Sequence, residues 1–277
     1  MIKLRKLVRF IHLLLLIILG VLITLVLWVP RRLRLTSMDT VLVVAGWWFR
    51  RILGALGARV RVEGNISQRP GMWISNHISW LDIVVIGSRA PVHFVSKSEV
   101  ARWPVIGFLA RESGTLFLRR GANESGQLVR AMSERIQEGH GVLFFPEGTT
   151  GAGHFLRRFH PRLFAAAIDL EQPVVPLAIR YESETQPHPT VPYLDKQSLL
   201  ANLWQVLGEK RLDITLFAPE PITDIGDQRR VLAERSREVI REAMGMEAPA
   251  LPPESVSARR RSGGRQLHPP SEVTEDR

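Results

Sequence analysis

The feature that most limits how this chain can fold is the run from Ile11 to Val29, nineteen residues without a formal charge and mostly leucine, isoleucine and valine. As a helix it reaches about 28 Å, close to the hydrocarbon thickness of a bilayer. A membrane helix over 11–29 is therefore expected. A cleaved secretory leader is the competing reading, but its apolar core is usually about 7–15 residues and ends at a small-residue cleavage site. Here Trp28, Val29, Pro30, Arg31 and Arg32 follow instead. Lys3, Arg5, Lys6 and Arg9 precede the run and Arg31, Arg32 and Arg34 follow it, so both flanks carry the basic signature of the cytoplasmic side.

A second stretch, 41–56, begins apolar and carries Trp47, Trp48 and Phe49 directly before Arg50 and Arg51. That pattern suits an amphipathic helix with its tryptophans at the headgroup level. A packing helix of the following domain is the alternative. Two basic-flanked helices could dip together into one leaflet, which reconciles the symmetric charges without a full crossing. Residues 1–57 are thus expected to form a membrane anchor.

The charge distribution narrows the partners. Lys and Arg total 37 against 27 Asp and Glu, yet residues 1–61 alone hold eleven basic residues and a single acid, Asp39. The whole excess sits beside the apolar run and not on a folded face, which argues against nucleic acid and for membrane lipids. The chain has no cysteine, so disulfide frameworks, thiol catalysis and cysteine metal sites are excluded.

Past residue 58 short β-type runs alternate with helical ones, the pattern of an α/β domain built around a sheet. Strands are expected at 58–63, 72–75, 92–96, 115–119, 142–145, 174–180 and 212–217. Helices are expected at 79–89, 122–138, 162–171, 195–207 and 227–244, with spacing such as Leu128, Met132, Ile136 in one of them. The domain spans 58–246. From Glu247 to Arg277 prolines, a Gly-Gly pair and the run Arg259-Arg260-Arg261 leave few large apolar residues, so a disordered tail is expected.

Two constellations carry chemistry. Asn76-His77-Ile78-Ser79-Trp80-Leu81-Asp82 lies where a strand gives way to a helix. A histidine can take a proton from an alcohol near neutral pH, and a carboxylate on its other ring nitrogen fixes the tautomer and stabilises the imidazolium. Five residues apart, His77 and Asp82 would lie about 140° apart on one regular helix, so contact requires His77 to sit in the turn before the helix. Ser75 or Ser79 could cap that helix. The second is Phe145-Pro146-Glu147-Gly148-Thr149-Thr150, where proline ends an apolar strand. Gly148 permits close backbone approach, and Glu147 and Thr149 offer an acceptor and a hydroxyl for a polyol or phosphate headgroup. A plain structural turn would explain the same residues. Between the two constellations, Arg119 and Arg120 end the run Gly114-Thr115-Leu116-Phe117-Leu118, and Lys97 follows another strand; solvated charges at strand ends are the bland reading, phosphate forks the functional one.

Taken in order, these segments resemble the lysophospholipid acyltransferase family, which includes 1-acylglycerol-3-phosphate O-acyltransferases. The resemblance spans about 65–180: the His-x4-Asp block at 76–82, the Gly-x-aliphatic-Phe-aliphatic-x-Arg block at 114–120, Phe-Pro-Glu-Gly-Thr at 145–149, and Val174-Val175-Pro176-Leu177-Ala178-Ile179. Lys97 with Trp103-Pro104-Val105-Ile106-Gly107 is similar to the family's intervening segment, and the two N-terminal helices to its bacterial anchor. The resemblance implies a mixed central sheet flanked by helices, behind a membrane helix and an amphipathic helix.

It further implies acyl transfer from acyl-CoA or acyl-carrier protein to a lysolipid hydroxyl, giving phosphatidic acid when the acceptor is 1-acylglycerol 3-phosphate. His77 would be the general base and Asp82 its orienting partner. Arg120, Glu147, Gly148 and Thr149 would hold the acceptor's headgroup, with Lys97 a further phosphate or donor contact. A backbone N–H near the helix start after His77 would stabilise the oxyanion. No cofactor or metal is implied, and the catalytic domain would face the cytoplasm at the inner membrane. Thr150 stands where many members carry Arg or Ser, and Phe159-His160-Pro161-Arg162 replaces the usual Phe-Lys segment, which leaves lyso-ornithine lipid open as the acceptor. Other classes fare worse: the chain lacks a Gly-x-Ser-x-Gly elbow for a hydrolase and a His-Glu-x-x-His set for a zinc enzyme. A non-catalytic membrane-tethered binding protein would tolerate loss of His77.

Overall fold

The computed structural model describes residues 2–66, 70–118, 124–185, 188–194 and 197–247. Two helices, α1 (Ile2–Arg32) and α2 (Met38–Leu56), precede seven strands: β1 (Ala58–Gly64), β2 (Gly71–Ser75), β3 (Val92–Lys97), β4 (Leu116–Leu118), β5 (Gly141–Phe144), β6 (Val174–Glu182) and β7 (Leu212–Ala218). Between and after the strands come α3 (Leu81–Gly87), α4 (Ile106–Glu112), α5 (Glu124–Gln137), α6 (Ala165–Asp169), α7 (Leu199–Val206) and α8 (Arg229–Ala243). The strands form one sheet in the order β1-β7-β6-β2-β5-β3-β4. All neighbours are parallel except β6 and β7, so the sheet is mixed, as the resemblance implies.

Side chains alternate between the two faces, as strand geometry requires. Trp73, Leu143 and Val175 join the core shared with α1, α2, α3 and α7, while Met72, Ile74, Val142 and Phe144 join the core shared with α5, α6 and α8. Strands β2 and β5 are buried throughout, which is why they read as continuous apolar runs.

The expected strands and most expected helices are present with shifted ends. The apolar helix is longer than 11–29. It begins at Ile2 because its basic first turns are held: Arg5 donates to the Gly208 carbonyl, Arg9 to the Glu209 carbonyl at 2.6 Å, and the Lys6 ammonium lies 5.5 Å from the Trp204 ring centre. Helix α4 follows Pro104 and is too short for periodicity to reveal. The expected helix 162–171 divides into a 3₁₀ turn, Pro161–Phe164, and α6. Of the expected tail only Glu247 is described; 248–277 lie outside the described residues.

Helix α2 only partly follows the expectation of tryptophans at the headgroup level. Trp47 is outward, beneath the Arg51 guanidinium at 5.3 Å. Trp48 instead turns into the helix pair, its indole N–H donating to the Leu16 carbonyl at 2.6 Å. Gly20 makes room for it: a Cβ there would come within 2.7 Å of the indole. On another face Gly46 lies against the Gly87 carbonyl of α3, so α2 is also a packing helix of the domain.

Candidate active site

The sheet brings the two constellations together. Strands β2 and β5 are adjacent and parallel, with Met72 beside Val142 and Ile74 beside Phe144, so the turns after them emerge at the same carboxyl edge, where open α/β sheets place their ligands. Asn76 extends the pairing of β2 with β6. Its side-chain amide donates to the Ile179 carbonyl at 2.9 Å and its oxygen accepts the Ile179 N–H at 2.8 Å. This amide pair holds the chain just before His77.

His77 lies in the turn and reaches Asp82 on the first turn of α3, Nδ1 to Oδ2 at 2.8 Å. The same Oδ2 accepts the N–H groups of Ile78 at 2.7 Å and Ser79 at 2.9 Å, and Oδ1 accepts the Tyr181 hydroxyl at 2.6 Å. The Asp82 side chain is fully buried and that of His77 is 18% exposed. An ionised carboxylate accepts only, so Nδ1 carries the proton and Nε2 is the basic nitrogen. Burial, then the Asp82 charge and its hydrogen bond, push the Tyr181 hydroxyl well above its ordinary value, which keeps it a donor. The Phe145 ring stacks on the imidazole at 3.9 Å and 11°.

One local expectation is corrected here and another is narrowed. Neither Ser75 nor Ser79 caps α3: its N-cap is Trp80, without a side-chain bond, and the Asp82 N–H meets the Ser79 carbonyl, not a serine hydroxyl. Asp82, a charged acceptor, holds the Ile78 and Ser79 amides of the turn before the helix. Of the N–H groups near the helix start, those of Ile78 and Ser79 are thus not available to an oxyanion.

Glu147, expected against the headgroup, is turned inward. Its Oε1 accepts the His77 N–H at 2.9 Å and its Oε2 the Arg157 N–H at 3.0 Å, and the residue is 4% exposed. Burial raises its pKa, while the Arg157 and His77 amides pull it back. The carboxylate thus ties the second turn to the backbone of the first. Gly148 closes a turn to the Phe145 carbonyl at 3.0 Å with φ +70°, a left-handed conformation that glycine adopts without steric cost. Thr150 donates to the Tyr193 carbonyl, and Tyr193 donates to the Ile78 carbonyl at 2.9 Å, closing a loop over the site.

A cavity of about 1450 Å³ runs from His77 and Phe145 to α1 and α2. Gly148, Thr149 and Lys97 line it, as do Arg162, Arg229 and Arg230, while apolar side chains such as Leu13, Ile17, Trp48 and Phe49 cover its far wall. Arg120 lies outside the described residues. Tyr181 and Asn76 were given no role by the sequence, because nothing local marks which β6 side chain meets the end of β2. A basic atom at the head of a long apolar cavity can deprotonate a bound alcohol whose chains lie among lipid-like side chains.

Comparison with known proteins agrees with this chemistry. The family described as Acyltransferase matches residues 59–180. The lyso-ornithine lipid O-acyltransferase of Pseudomonas aeruginosa is 38% identical over 253 residues, 90% of this chain and 97% of that protein. The 1-acyl-sn-glycerol-3-phosphate acyltransferase of Neisseria meningitidis is 32% identical over 203 residues, 72% of this chain and 80% of that one. In fold, the chain resembles the crystal structure of the 1-acyl-sn-glycerophosphate (LPA) acyltransferase PlsC from Thermotoga maritima, with a TM-score of 0.65 and 20% identity over 90% of this chain and 100% of that chain. A near full-length likeness to acyltransferases of lysolipids, joined to a histidine–carboxylate pair at the head of an apolar cavity, makes this membrane-associated chain a member of the lysophospholipid acyltransferase family.

Proposed function

We propose that the protein esterifies the free hydroxyl of a lysolipid with a fatty acyl group from acyl-CoA or acyl-carrier protein. The observation that carries this reading is the Nδ1 bond of His77 to a buried, fourfold hydrogen-bonded Asp82. The acceptor O–H gives its proton to Nε2 as its oxygen attacks the thioester carbonyl. Collapse of the tetrahedral intermediate breaks the C–S bond, and the imidazolium returns the proton to the leaving thiolate, yielding an ester and a free thiol. Asp82 stabilises the imidazolium between these steps, and the scheme draws on no cofactor or metal. Gly148, Thr149 and Lys97, with Arg120, hold the polar ends of the substrates. Glu147 acts as a positioning residue through the His77 backbone.

Between the two acceptors, lyso-ornithine lipid is favoured over the 1-acylglycerol 3-phosphate that the motifs first imply. Support comes from the 38% identical relative of that name and from Thr150, whose hydroxyl is engaged by the Tyr193 carbonyl and not directed to a headgroup. The purified protein, offered lyso-ornithine lipid, lysophosphatidic acid or glycerol 3-phosphate with labelled acyl-CoA, should acylate the first fastest. His77→Ala should lower lysolipid-dependent thiol release at least roughly 100-fold. An unchanged rate would leave only a binding role.

We further read the anchor as lying in one leaflet, on the cytoplasmic side of the inner membrane. Both ends of α1 are tied to the same domain, Arg5 and Arg9 after α7 and Arg31 at the end of α4. A helix crossing the bilayer would carry one end away from a domain on one side. Labelling that maps residue 2 and a residue near 150 to opposite faces would overturn this topology.

A further inference from the structure

Where α1 ends, a second cavity of about 400 Å³ is lined by Trp28, Arg31, Arg32, Arg34, Arg111 and Glu112. Four guanidiniums thus meet one carboxylate, and that carboxylate is engaged: Arg31 lies 3.3 Å from Glu112 Oε2 and also donates to its carbonyl. Among the described residues no carboxylate lies within ion-pair distance of Arg32, Arg34 or Arg111. Like charges gathered this way repel unless an anion joins them.

Two of these exposed guanidiniums are held by contacts with the protein, and the third is placed by its backbone turn. Arg111 donates to the Ala101 carbonyl, and Arg32 lies over the Trp28 ring at 5.2 Å. Arg34 sits in a left-handed turn with φ +58°. That turn is closed by the N–H groups of Leu33, Arg34 and Leu35 on the carbonyls of Val29, Arg31 and Pro30. These bonds also occupy three of the last four carbonyls of the helix, which weakens the negative end that an incoming anion meets.

The surroundings name the anion's source. The site lies immediately beyond the apolar run of α1, and its rim carries exposed Val29, Leu33 and Leu35, the last two 64% and 76% exposed. Side chains of this kind beside unpaired arginines suit a molecule with an anionic head and hydrocarbon tails. Trp28, Arg31 and Glu112 also border the catalytic cavity, so the occupant would rest at its edge. We propose that this cavity binds the phosphodiester headgroup of an anionic phospholipid, separately from the acyl acceptor.

The test uses the full chain in neutral detergent, titrated calorimetrically with dioctanoyl phosphatidylglycerol. Saturable one-to-one binding is expected, weakened at least tenfold in Arg32→Gln/Arg34→Gln and in Arg111→Gln. Lys3→Gln/Arg51→Gln removes the same charge as the double variant elsewhere on the anchor and should bind within twofold of the parent. Dioctanoyl phosphatidylcholine should bind at least tenfold more weakly, and inorganic phosphate at equal concentration should not compete. Thermal midpoint and thiol release in detergent report folding; should Arg111→Gln misfold, the double variant on the exposed turn decides. Equal losses in both double variants, no saturable binding, or displacement by free phosphate would each overturn the proposal.

Discussion

Replacing Asp82 by Asn separates the charge of this carboxylate from its hydrogen bonding. Oδ2 accepts three N–H groups, from His77 Nδ1, Ile78 and Ser79, and an asparagine oxygen in the same place accepts all three. The two backbone amides dictate that orientation, since the alternative sets N–H against N–H. The asparagine NH2 then meets the Tyr181 hydroxyl, which turns from donor to acceptor. The imidazole therefore keeps its tautomer and position and loses only the neighbouring charge. With charge centres about 4–5 Å apart and an effective dielectric of about 20, that charge stabilises the imidazolium by about 4 kcal/mol, which corresponds to a rate loss of roughly 1000-fold. Thiol release at saturating substrate should show this fall in kcat, while KM for the lysolipid changes less than about threefold, as expected when only a transition-state interaction is lost. A folded variant within tenfold of wild type would refute the reasoning, because no imidazolium would then form beside Asp82 in the rate-limiting step.

Three further outcomes follow from the same geometry. Tyr181→Phe leaves Oδ1 of a buried carboxylate without its 2.6 Å donor and should cost about 1.5–3 kcal/mol in denaturant unfolding; an unchanged midpoint would mean that water replaces the hydroxyl. Glu147→Gln sets an NH2 against one of the two backbone amides its oxygens now accept, and should lower stability by about 1–3 kcal/mol together with kcat, without a matching rise in KM for the lysolipid. His93 is buried against the Gly114 carbonyl, and burial, with His140 and Arg135 nearby, lowers its pKa from 6.5 to about 4. As pH falls the unfolded chain takes this proton first, so about 3 kcal/mol of stability should be lost between pH 6.5 and 4. His93→Gln, which can still donate to Gly114, should flatten that slope in unfolding titrations; an unaltered slope would assign it to other groups.

Local pattern determined a good deal of this protein. Nineteen uncharged residues favour an apolar helix, the strand repeat put Trp73 and Ile74 on opposite faces of a sheet buried on both sides, and five residues of spacing allowed His77 to meet Asp82 across a turn. Even here the pattern misled, since Trp80 and not Ser75 or Ser79 stands at the N-cap of α3, and Trp48 faced α1 because Gly20 left a hollow that composition cannot show. The rest depended on strand order. Glu147 reaches the His77 amide across 70 residues because β2 and β5 are parallel neighbours, and Tyr181 reaches Asp82 across 99 because β6 flanks β2 on the other side. Both anchoring ends of α1 likewise meet carbonyls set by α4 and by the chain after α7. Such contacts are decided when many buried faces are satisfied at once, which is a property of the packed sheet and not of any one segment.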